Sequence, residues 1–229
     1  EFEYAKKIIS PGSIVLDIGS GVGAFSSYLD AKSEYTGIEF SSKAVEIAER
    51  NKVNVIKSTI EEYVESSKKK FDFILVFQVL EHIEDIHSFI KSAKAILKDE
   101  GKLIIAVPNN DSFISNTPNH ILNLPPHHLL HWNKKSLEQL AIEFKLSVND
   151  IFYEKVSDEH SMSFYFSMID SFFKKIFFIS PRLIKISVIR SLLSKISWRI
   201  AALLMFLKIR FYNKYTGQTI IISMQNKKI

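Results

Sequence analysis

The chain contains no cysteine among its 229 residues, so disulfide bonds and thiolate chemistry are both excluded. Long apolar segments are also missing, because the longest uninterrupted run in its hydrophobic C-terminal part is Ile200–Leu207, eight residues. A helix that spans a bilayer needs about 20 such residues, so we predict no transmembrane helix. No cationic, apolar signal peptide opens the chain, and we therefore expect a cytoplasmic location.

Acidic residues are nearly absent from the C-terminal part of the chain. Residues 164–229 contain 12 Lys/Arg and a single acid, Asp170, whereas residues 1–163 contain 18 Lys/Arg and 24 Asp/Glu. The overall charge of +5 hides this division. A separate basic block that is rich in aromatic residues indicates contact with a membrane surface or another anionic partner.

The rest of the sequence is typical of one folded α/β domain, with 46% hydrophobic and 24% charged residues. Strand and helix patterns alternate, as a doubly wound sheet requires. The predicted strands are Ile14–Asp17, Tyr35–Glu39, Val53–Lys57, Phe71–Phe77, Lys102–Val107, Leu146–Tyr153 and Thr219–Met224. The predicted helices are Gly23–Ala31, Ser42–Asn51, Ile60–Ser67, Ile86–Leu97, with Lys98–Gly101 as a helix stop, and one that ends at Phe144. Ser41 or Ser42 and Asp85 are predicted N-caps.

The first predicted strand ends at Asp17 and leads into three glycines at alternate positions, Gly19, Gly21 and Gly23. Glycines at a strand-to-helix turn allow the backbone to approach a ligand, because no Cβ blocks the way. The spacing differs from the dinucleotide fingerprint G-x-G-x-x-G, and an acid precedes the glycines. A carboxylate there would repel a pyrophosphate, but it suits a ligand that carries ammonium and sulfonium charges.

Three further segments with strand patterns follow the glycine turn along the chain. Glu39 ends the second predicted strand, 22 residues beyond Asp17, where an acid accepts hydrogen bonds from ribose hydroxyls in adenosine-binding folds. A fourth strand and its loop lie at residues 70–84, and a turn and fifth strand lie at residues 97–109. Together with the glycine turn, these segments resemble the motifs of the class I S-adenosylmethionine-dependent methyltransferases. The resemblance covers residues 12–153 and 216–225 and is greatest to ubiquinone-type O-methyltransferases and bacterial sugar or natural-product methyltransferases.

This resemblance implies a Rossmann-like, seven-stranded sheet with an antiparallel last strand, and S-adenosylmethionine as the cofactor. Gly19, Ser20 and Gly21 are then expected beside the methionine part of the cofactor. Asp17 is expected to anchor the loop or the ammonium group through water, and Glu39 to bind the ribose hydroxyls. The expected contacts of the adenine come from Phe40, Ser58, Thr59, Ile60 and the backbone carbonyl of Gln78, with Thr59 where many members have an aspartate.

Candidate catalytic residues occur in two places. Glu81 and His82 follow the fourth strand, where the same pair lies beside the methyl group in the resembled small-molecule enzymes. The long irregular stretch at residues 108–133 contributes His127, His128 and His131, and loops of this size are usually functional. Each histidine is a candidate base or orienting group for an acceptor hydroxyl. A metal site is not favoured, because related metal-dependent enzymes place a second glutamate where this chain has Gln78.

The basic block is expected to be a helical insertion at residues 154–217, between strands six and seven of a single domain that covers residues 1–229. Its cations, such as Arg190, Lys195 and Arg199, are spread along the segment at residues 183–207 and form no clean polar face. Three interpretations stay open. The insertion is a helical cap with solvated lysines, an interfacial element on anionic lipid, or a site for an anionic substrate.

The leading functional hypothesis is methyl transfer from S-adenosylmethionine to an oxygen of a small or lipid-linked acceptor, such as a sugar of a cell-surface glycan. Methylation of a quinone-ring hydroxyl is the alternative. A non-catalytic cofactor-binding scaffold is a hypothesis of another class, which the retained acids and glycines disfavour. A nucleic-acid methyltransferase is also disfavoured, because the Asn/Asp-Pro-Pro-aromatic motif of base-modifying enzymes is replaced by Gln78-Val79-Leu80-Glu81.

Overall fold

The fold is described from a computed structural model that covers residues 1–117, 124–179, 188–207 and 209–227. The chain divides into two compact units. The first unit consists of Glu1–Val107, Lys134–Phe152 and Ile221–Ile229, and the second consists of Pro108–Asn133 and Tyr153–Ile220. A single domain with an insertion at residues 154–217 stays a prediction.

Helices and strands alternate along the first half of the chain. The strands are β1 (Ile14–Ile18), β2 (Glu34–Glu39), β3 (Val55–Lys57), β4 (Phe71–Phe77), β5 (Leu97–Pro108), β6 (Leu146–Lys155) and β7 (Thr216–Asn226). The helices are α1 (Phe2–Ile8), α2 (Ser42–Arg50), α3 (Ile60–Ser66), α4 (Ile86–Ala95), α5 (Lys134–Glu143), α6 (Ser161–Ile176) and α7 (Val188–Phe206). The N-caps Ser41 of α2 and Asp85 of α4 are confirmed, because each side chain accepts a hydrogen bond from the first turn.

The strands form one seven-stranded sheet in the order β3-β2-β1-β4-β5-β7-β6. Neighbouring strands from β3 to β5 pair in parallel, and β7 is antiparallel. This confirms the predicted doubly wound, Rossmann-like architecture. In the register of the sheet, Asp17 of β1 lies between Gly37 of β2 and Leu75 of β4. The chain order reverses beside β1, and ligands of open α/β sheets bind at such a switch point, outside the carboxyl ends of the strands.

An aromatic cluster surrounds the segment that follows the glycine turn. Phe25 is fully buried, and its ring lies 5.7 Å from that of Phe77 at the end of β4. Phe2 packs edge-on against Phe25 with ring centroids 5.2 Å apart, and its helix α1 has no counterpart among the predicted helices. Such aromatic pairs contribute about 0.5–1.5 kcal/mol each beyond the burial of their area. The cluster therefore fixes the segment after β1 against α1 and β4.

The helix predicted at residues 23–31 is wrong, because only a short 3₁₀ helix forms at Ala24–Tyr28. The hydroxyls of Ser26 and Ser27 donate to the carbonyls of Gly23 and Ala24, three residues back. Serine side chains that bond to nearby backbone in this way compete with regular helical hydrogen bonds. An apolar pattern alone did not reveal this competition.

A second difference concerns the start of β5. The sequence predicts α4 through Leu97 and a helix stop at residues 98–101, whereas α4 ends at Ala95 and β5 begins at Leu97. The amide of Phe71, the first residue of β4, donates to the carbonyl of Ile96 at 2.9 Å. Pairing with the neighbouring strand therefore begins immediately after the helix, and the register shifts between Phe71 and Phe73.

In the second unit, α6 and α7 pack on each other. Leu193, Ser197 and Ala201 of α7 are buried at intervals of four residues, so they lie on one face of the helix. Asp170 and Lys174 of α6 form an ion pair in which both side chains are buried, and the Ser194 hydroxyl of α7 donates to Asp170 at 2.9 Å. Among the described residues, no helix is both long and apolar enough to cross a membrane.

Candidate active site

The glycine turn has a backbone that glycine alone adopts readily. Gly19, Gly21 and Gly23 have φ angles of 71°, 55° and 75°, in the left-handed region. The amides of Gly19 and Ser20 both donate to the carbonyl of Ile38 in β2, at 2.8 and 3.2 Å. These bonds hold the turn against the end of the neighbouring strand.

Space around the turn differs from one glycine to the next. A Cβ on Gly19 would lie only 2.3 Å from a methyl carbon of Val79, whereas a Cβ on Gly21 would meet nothing within 4 Å. A Cβ on Gly37 of β2 would lie 2.4 Å from the Ser20 hydroxyl. Gly19 and Gly37 are therefore needed for packing, and Gly21 faces open space at which a ligand can approach the backbone.

Glu39 is attached to this turn by its side chain. One carboxylate oxygen accepts a hydrogen bond from the Gly21 amide at 2.9 Å, and the other accepts one from the Ser41 amide at 2.8 Å. A carboxylate has about four acceptor positions, so two remain for a ligand. Glu39 thus fixes the turn and keeps the capacity to bind hydroxyl groups.

Asp17 lies beneath the turn and is buried. The Tyr35 hydroxyl donates to its carboxylate at 2.9 Å. Burial raises the pKa of Asp17 to about 7, the bond from Tyr35 opposes this rise, and the negative charges of Glu1 and Glu39 add to it. Tyr35 is a site residue that the sequence did not indicate, because no local pattern shows that a phenol on β2 reaches an acid on β1.

The residues predicted to contact adenine occupy varied environments. Phe40 follows β2 and is 78% exposed, whereas Ile60 is buried at the first turn of α3. Thr59 caps α3, since its hydroxyl accepts from the Glu62 amide and its own amide donates to the Glu62 carboxylate. The Ser58 hydroxyl donates to the Thr59 carbonyl. Contacts of these residues with adenine stay predictions.

Gln78 has a φ of 55°, unusual for a residue with a side chain. Its amide donates to the Ala106 carbonyl of β5, and its side chain donates to the Glu1 carboxylate at 2.8 Å. A positive φ strains the backbone of a residue other than glycine, and such strained residues are often found at ligand sites. The contact of its backbone carbonyl with adenine stays a prediction.

Glu81 and His82 form a short 3₁₀ helix after β4. Glu81 is 1% exposed, and one of its carboxylate oxygens has no hydrogen-bond partner among the described residues. His82 is 47% exposed, with its Nε2 atom 3.9 Å from the other oxygen of Glu81. Burial raises the pKa of Glu81 to about 7; a backbone hydrogen bond opposes the rise, and the charge of Glu1 adds to it. The pair combines a buried carboxyl with an exposed imidazole, and both groups are capable of general acid–base chemistry.

The three loop histidines belong to the second unit. The amides of His127 and His128 both donate to the Leu124 carbonyl, directly after a cis peptide bond between Pro125 and Pro126. His127 and His131 are exposed, and His128 is partly buried. Their participation in catalysis stays a prediction.

Comparison with known proteins agrees with this geometry. A family model described as "Methyltransferase domain" matches residues 2–149. An uncharacterized protein of Methanocaldococcus jannaschii is 35% identical over 114 residues, 50% of this chain and 53% of that protein. A ubiquinone biosynthesis O-methyltransferase of Glaesserella parasuis is 36% identical over 109 residues, 43% of this chain and 46% of that protein. The chain spans about half the length of the curated relatives that it matches.

A solved structure shows the same fold. The S-adenosylmethionine-dependent methyltransferase of Archaeoglobus fulgidus superposes with a TM-score of 0.59 at 19% identity, covering 99% of this chain and 95% of that one. The resemblance inferred from the glycine turn and the strands that follow is thereby confirmed. The chain belongs to the methyltransferase domain family, with the fold of the class I S-adenosylmethionine-dependent methyltransferases.

Proposed function

We propose that the chain transfers a methyl group from S-adenosylmethionine to an oxygen of a small acceptor. The observation that carries this proposal is the Glu39 carboxylate, held by the Gly21 amide with two acceptor positions left for ribose hydroxyls. The turn also fits the cofactor. Gly21 leaves open space next to its backbone, and the acids Asp17 and Glu39 suit a ligand with ammonium and sulfonium charges. We extend the proposal to lipid-linked acceptors, such as a sugar of a cell-surface glycan.

The roles of the residues follow from their positions. The bound cofactor supplies an electrophilic methyl group on a sulfonium. In this proposal Asp17 attracts the ammonium group of the cofactor, Glu39 at the end of β2 binds its ribose hydroxyls, and the exposed ring of Phe40 packs on its adenine. His82 Nε2 accepts the proton of the acceptor hydroxyl, and the Glu81 carboxylate at 3.9 Å stabilises the imidazolium that forms.

Calorimetry with S-adenosylhomocysteine tests the cofactor assignment. We expect Glu39→Gln to bind this product at least tenfold more weakly, because a neutral amide accepts fewer hydrogen bonds and repels the Gly21 amide with its NH₂ group. Glu34→Gln, at the exposed start of the same strand, is the matched control. An unchanged affinity in Glu39→Gln would remove the ribose assignment, and no heat with the unaltered chain would overturn the proposed function.

Cofactor binding is expected to depend on pH through Asp17. The pKa of Asp17 is raised to about 7, so the carboxyl is mostly protonated at pH 6 and cannot attract the ammonium group of the ligand. The affinity for S-adenosylhomocysteine should therefore increase as the pH rises through about 7 and then level off, by up to about tenfold per pH unit on the acid side. Asp17→Asn should abolish this dependence, whereas Glu81→Gln, which removes the other acid with a pKa near 7, should leave it in place.

Replacement of His82 should separate binding from turnover. His82→Ala is expected to keep its affinity for S-adenosylhomocysteine and to lose about 100-fold or more in kcat, because the acceptor hydroxyl then lacks its base. His87→Ala, a replacement of a histidine in α4, serves as the control. Full activity of His82→Ala on the true acceptor would show that another group takes the proton.

A quinone-ring hydroxyl is the second candidate acceptor. It is favoured by the ubiquinone biosynthesis O-methyltransferases among the curated relatives, four of which are 31–36% identical over 43% of this chain. Mass spectrometry of cells that lack the gene distinguishes the two acceptors. A missing methyl group on a glycan would support the first, and accumulation of a demethyl quinone would support the second.

A further inference from the structure

The helical pair α6–α7 exposes large apolar side chains to solvent. Phe178, directly after α6, is 96% exposed, and Val188 and Phe206, near the two ends of α7, are 87% and 81% exposed. Phe172, Phe177 and Ile189 are each more than half exposed as well. Exposed apolar groups in this number mark an interaction surface rather than ordinary surface variation.

These side chains occur at the ends of the helices as well as along them. Phe177 and Phe178 follow the last turn of α6, and Val188 and Ile189 form the first turn of α7. Along α7, Leu192 and Leu203 are also exposed, opposite the buried face formed by Leu193, Ser197 and Ala201. Helix α7 thus has one face that is packed and one face that is apolar and open.

Positive charge lies on that same open face. Lys195 and Arg199 are exposed and four residues apart, so they share one side of α7 with Leu192, Leu203 and Phe206. Two cations that looked scattered in the sequence are therefore adjacent in the structure.

Helices α6 and α7 contain one acidic residue, and packing buries it. Asp170, the single acid in residues 164–229, is buried against Lys174 and accepts a hydrogen bond from Ser194. Its charge is neutralised inside the helical pair. The described surface of α6 and α7 therefore combines cations with aromatic and aliphatic groups and presents no carboxylate.

We propose that this open face docks on an anionic lipid bilayer. Lys195 and Arg199 contact lipid phosphates, and Phe177 and Phe178 insert at the boundary between headgroups and acyl chains. Interfacial helices combine these two kinds of side chain, and each cation near an anionic surface adds to binding. A nucleic acid would use the cations but leave the aliphatic groups exposed to water, and a protein partner would not require a face without acids. The proposal does not depend on methyl transfer.

Co-sedimentation of the full chain with lipid vesicles tests this docking. We expect binding to phosphatidylcholine vesicles that contain about 30% phosphatidylglycerol, and at least tenfold weaker binding to phosphatidylcholine alone. Binding should also weaken as salt is raised, because salt screens the contacts of the cations.

Two pairs of substitutions separate the charged from the apolar contribution. Lys195→Glu/Arg199→Glu and Phe177→Ser/Phe178→Ser should each reduce binding to anionic vesicles at least tenfold. Lys91→Glu/Lys135→Glu and Ile142→Ser are the matched controls, because they change exposed cations and an exposed apolar residue on α4 and α5. The control variants should bind as the unaltered chain does.

Three results would overturn the proposal: equal binding to neutral and anionic vesicles, α6–α7 variants that bind like their controls, or displacement of the chain from vesicles by single-stranded RNA. Circular dichroism checks that each variant is folded. All variants should bind S-adenosylhomocysteine with unchanged affinity, so a failure of membrane docking is distinguished from a failure of the proposed function.

Discussion

Gly19→Ala is expected to lower the free energy of unfolding by about 2–4 kcal/mol and to remove most of the affinity for S-adenosylhomocysteine. The new Cβ would lie 2.3 Å from a methyl carbon of Val79, and the φ of 71° is unfavourable for any residue with a side chain. Because a short, β-branched side chain cannot swing away, the turn itself must move. Chemical denaturation and calorimetry measure the two effects.

Two further variants separate the collision from the backbone strain. Gly12→Ala places a Cβ at a φ of 78° with nothing within 4 Å, so it should cost only about 1–2 kcal/mol and leave binding unchanged. Val79→Ala removes the methyl group that Gly19→Ala meets, so the double variant should recover stability and affinity relative to Gly19→Ala alone. If Gly19→Ala behaves like Gly12→Ala, the close packing of Val79 on the turn has no energetic importance.

Lys174→Met is expected to lower the free energy of unfolding by about 3–5 kcal/mol. Lys174 and Asp170 are 9% and 1% exposed at their side chains, so the substitution leaves a buried carboxylate without its cation. Lys175→Met, at the exposed neighbouring position, should change stability by less than about 0.5 kcal/mol. Thermal and chemical denaturation of both variants provide the measurement.

Replacement of Asp170, Lys174 and Ser194 together should lower the free energy of unfolding far less than replacement of Lys174 alone. Asp170→Leu/Lys174→Met/Ser194→Ala leaves no buried charge or unpaired hydroxyl, and replacement of a buried ion pair by apolar groups is often neutral or stabilising. We expect the triple variant to recover most of the stability lost in Lys174→Met. Equal losses in Lys174→Met and Lys175→Met would show that the pair is solvated in solution.

Local features of the fold were predictable because their causes are local. The N-caps Ser41 and Asp85 follow from side chains that bond to amides three residues ahead, and the apolar run of β4 follows from burial on both faces of a parallel sheet. The helix predicted at residues 23–31 failed because serine hydroxyls compete for carbonyls, which an apolar pattern does not register.

The positions of Asp17 and Glu39 on their strands were predictable from the sequence, but the contacts that connect them were not. Asp17 could be placed from the apolar run that leads into the glycines, and Glu39 from the end of the second apolar run, 22 residues further on. The bond from Gly21 to Glu39, the bond from Tyr35 to Asp17 and the contact of Val79 with Gly19 each join residues far apart in the chain. Such contacts depend on strand register and side-chain packing, which are set only when the sheet has formed.

The sequence by itself determined the succession of seven strands along the chain, the glycine turn with its two acids and the concentration of basic residues in the C-terminal part. These properties depend on residue type and spacing. Only the tertiary structure decided where the charges of that part lie. Packing of α6 on α7 buries Asp170 against Lys174 and leaves Lys195 and Arg199 on the open face, because a buried charge needs a partner while an exposed one is stabilised by water.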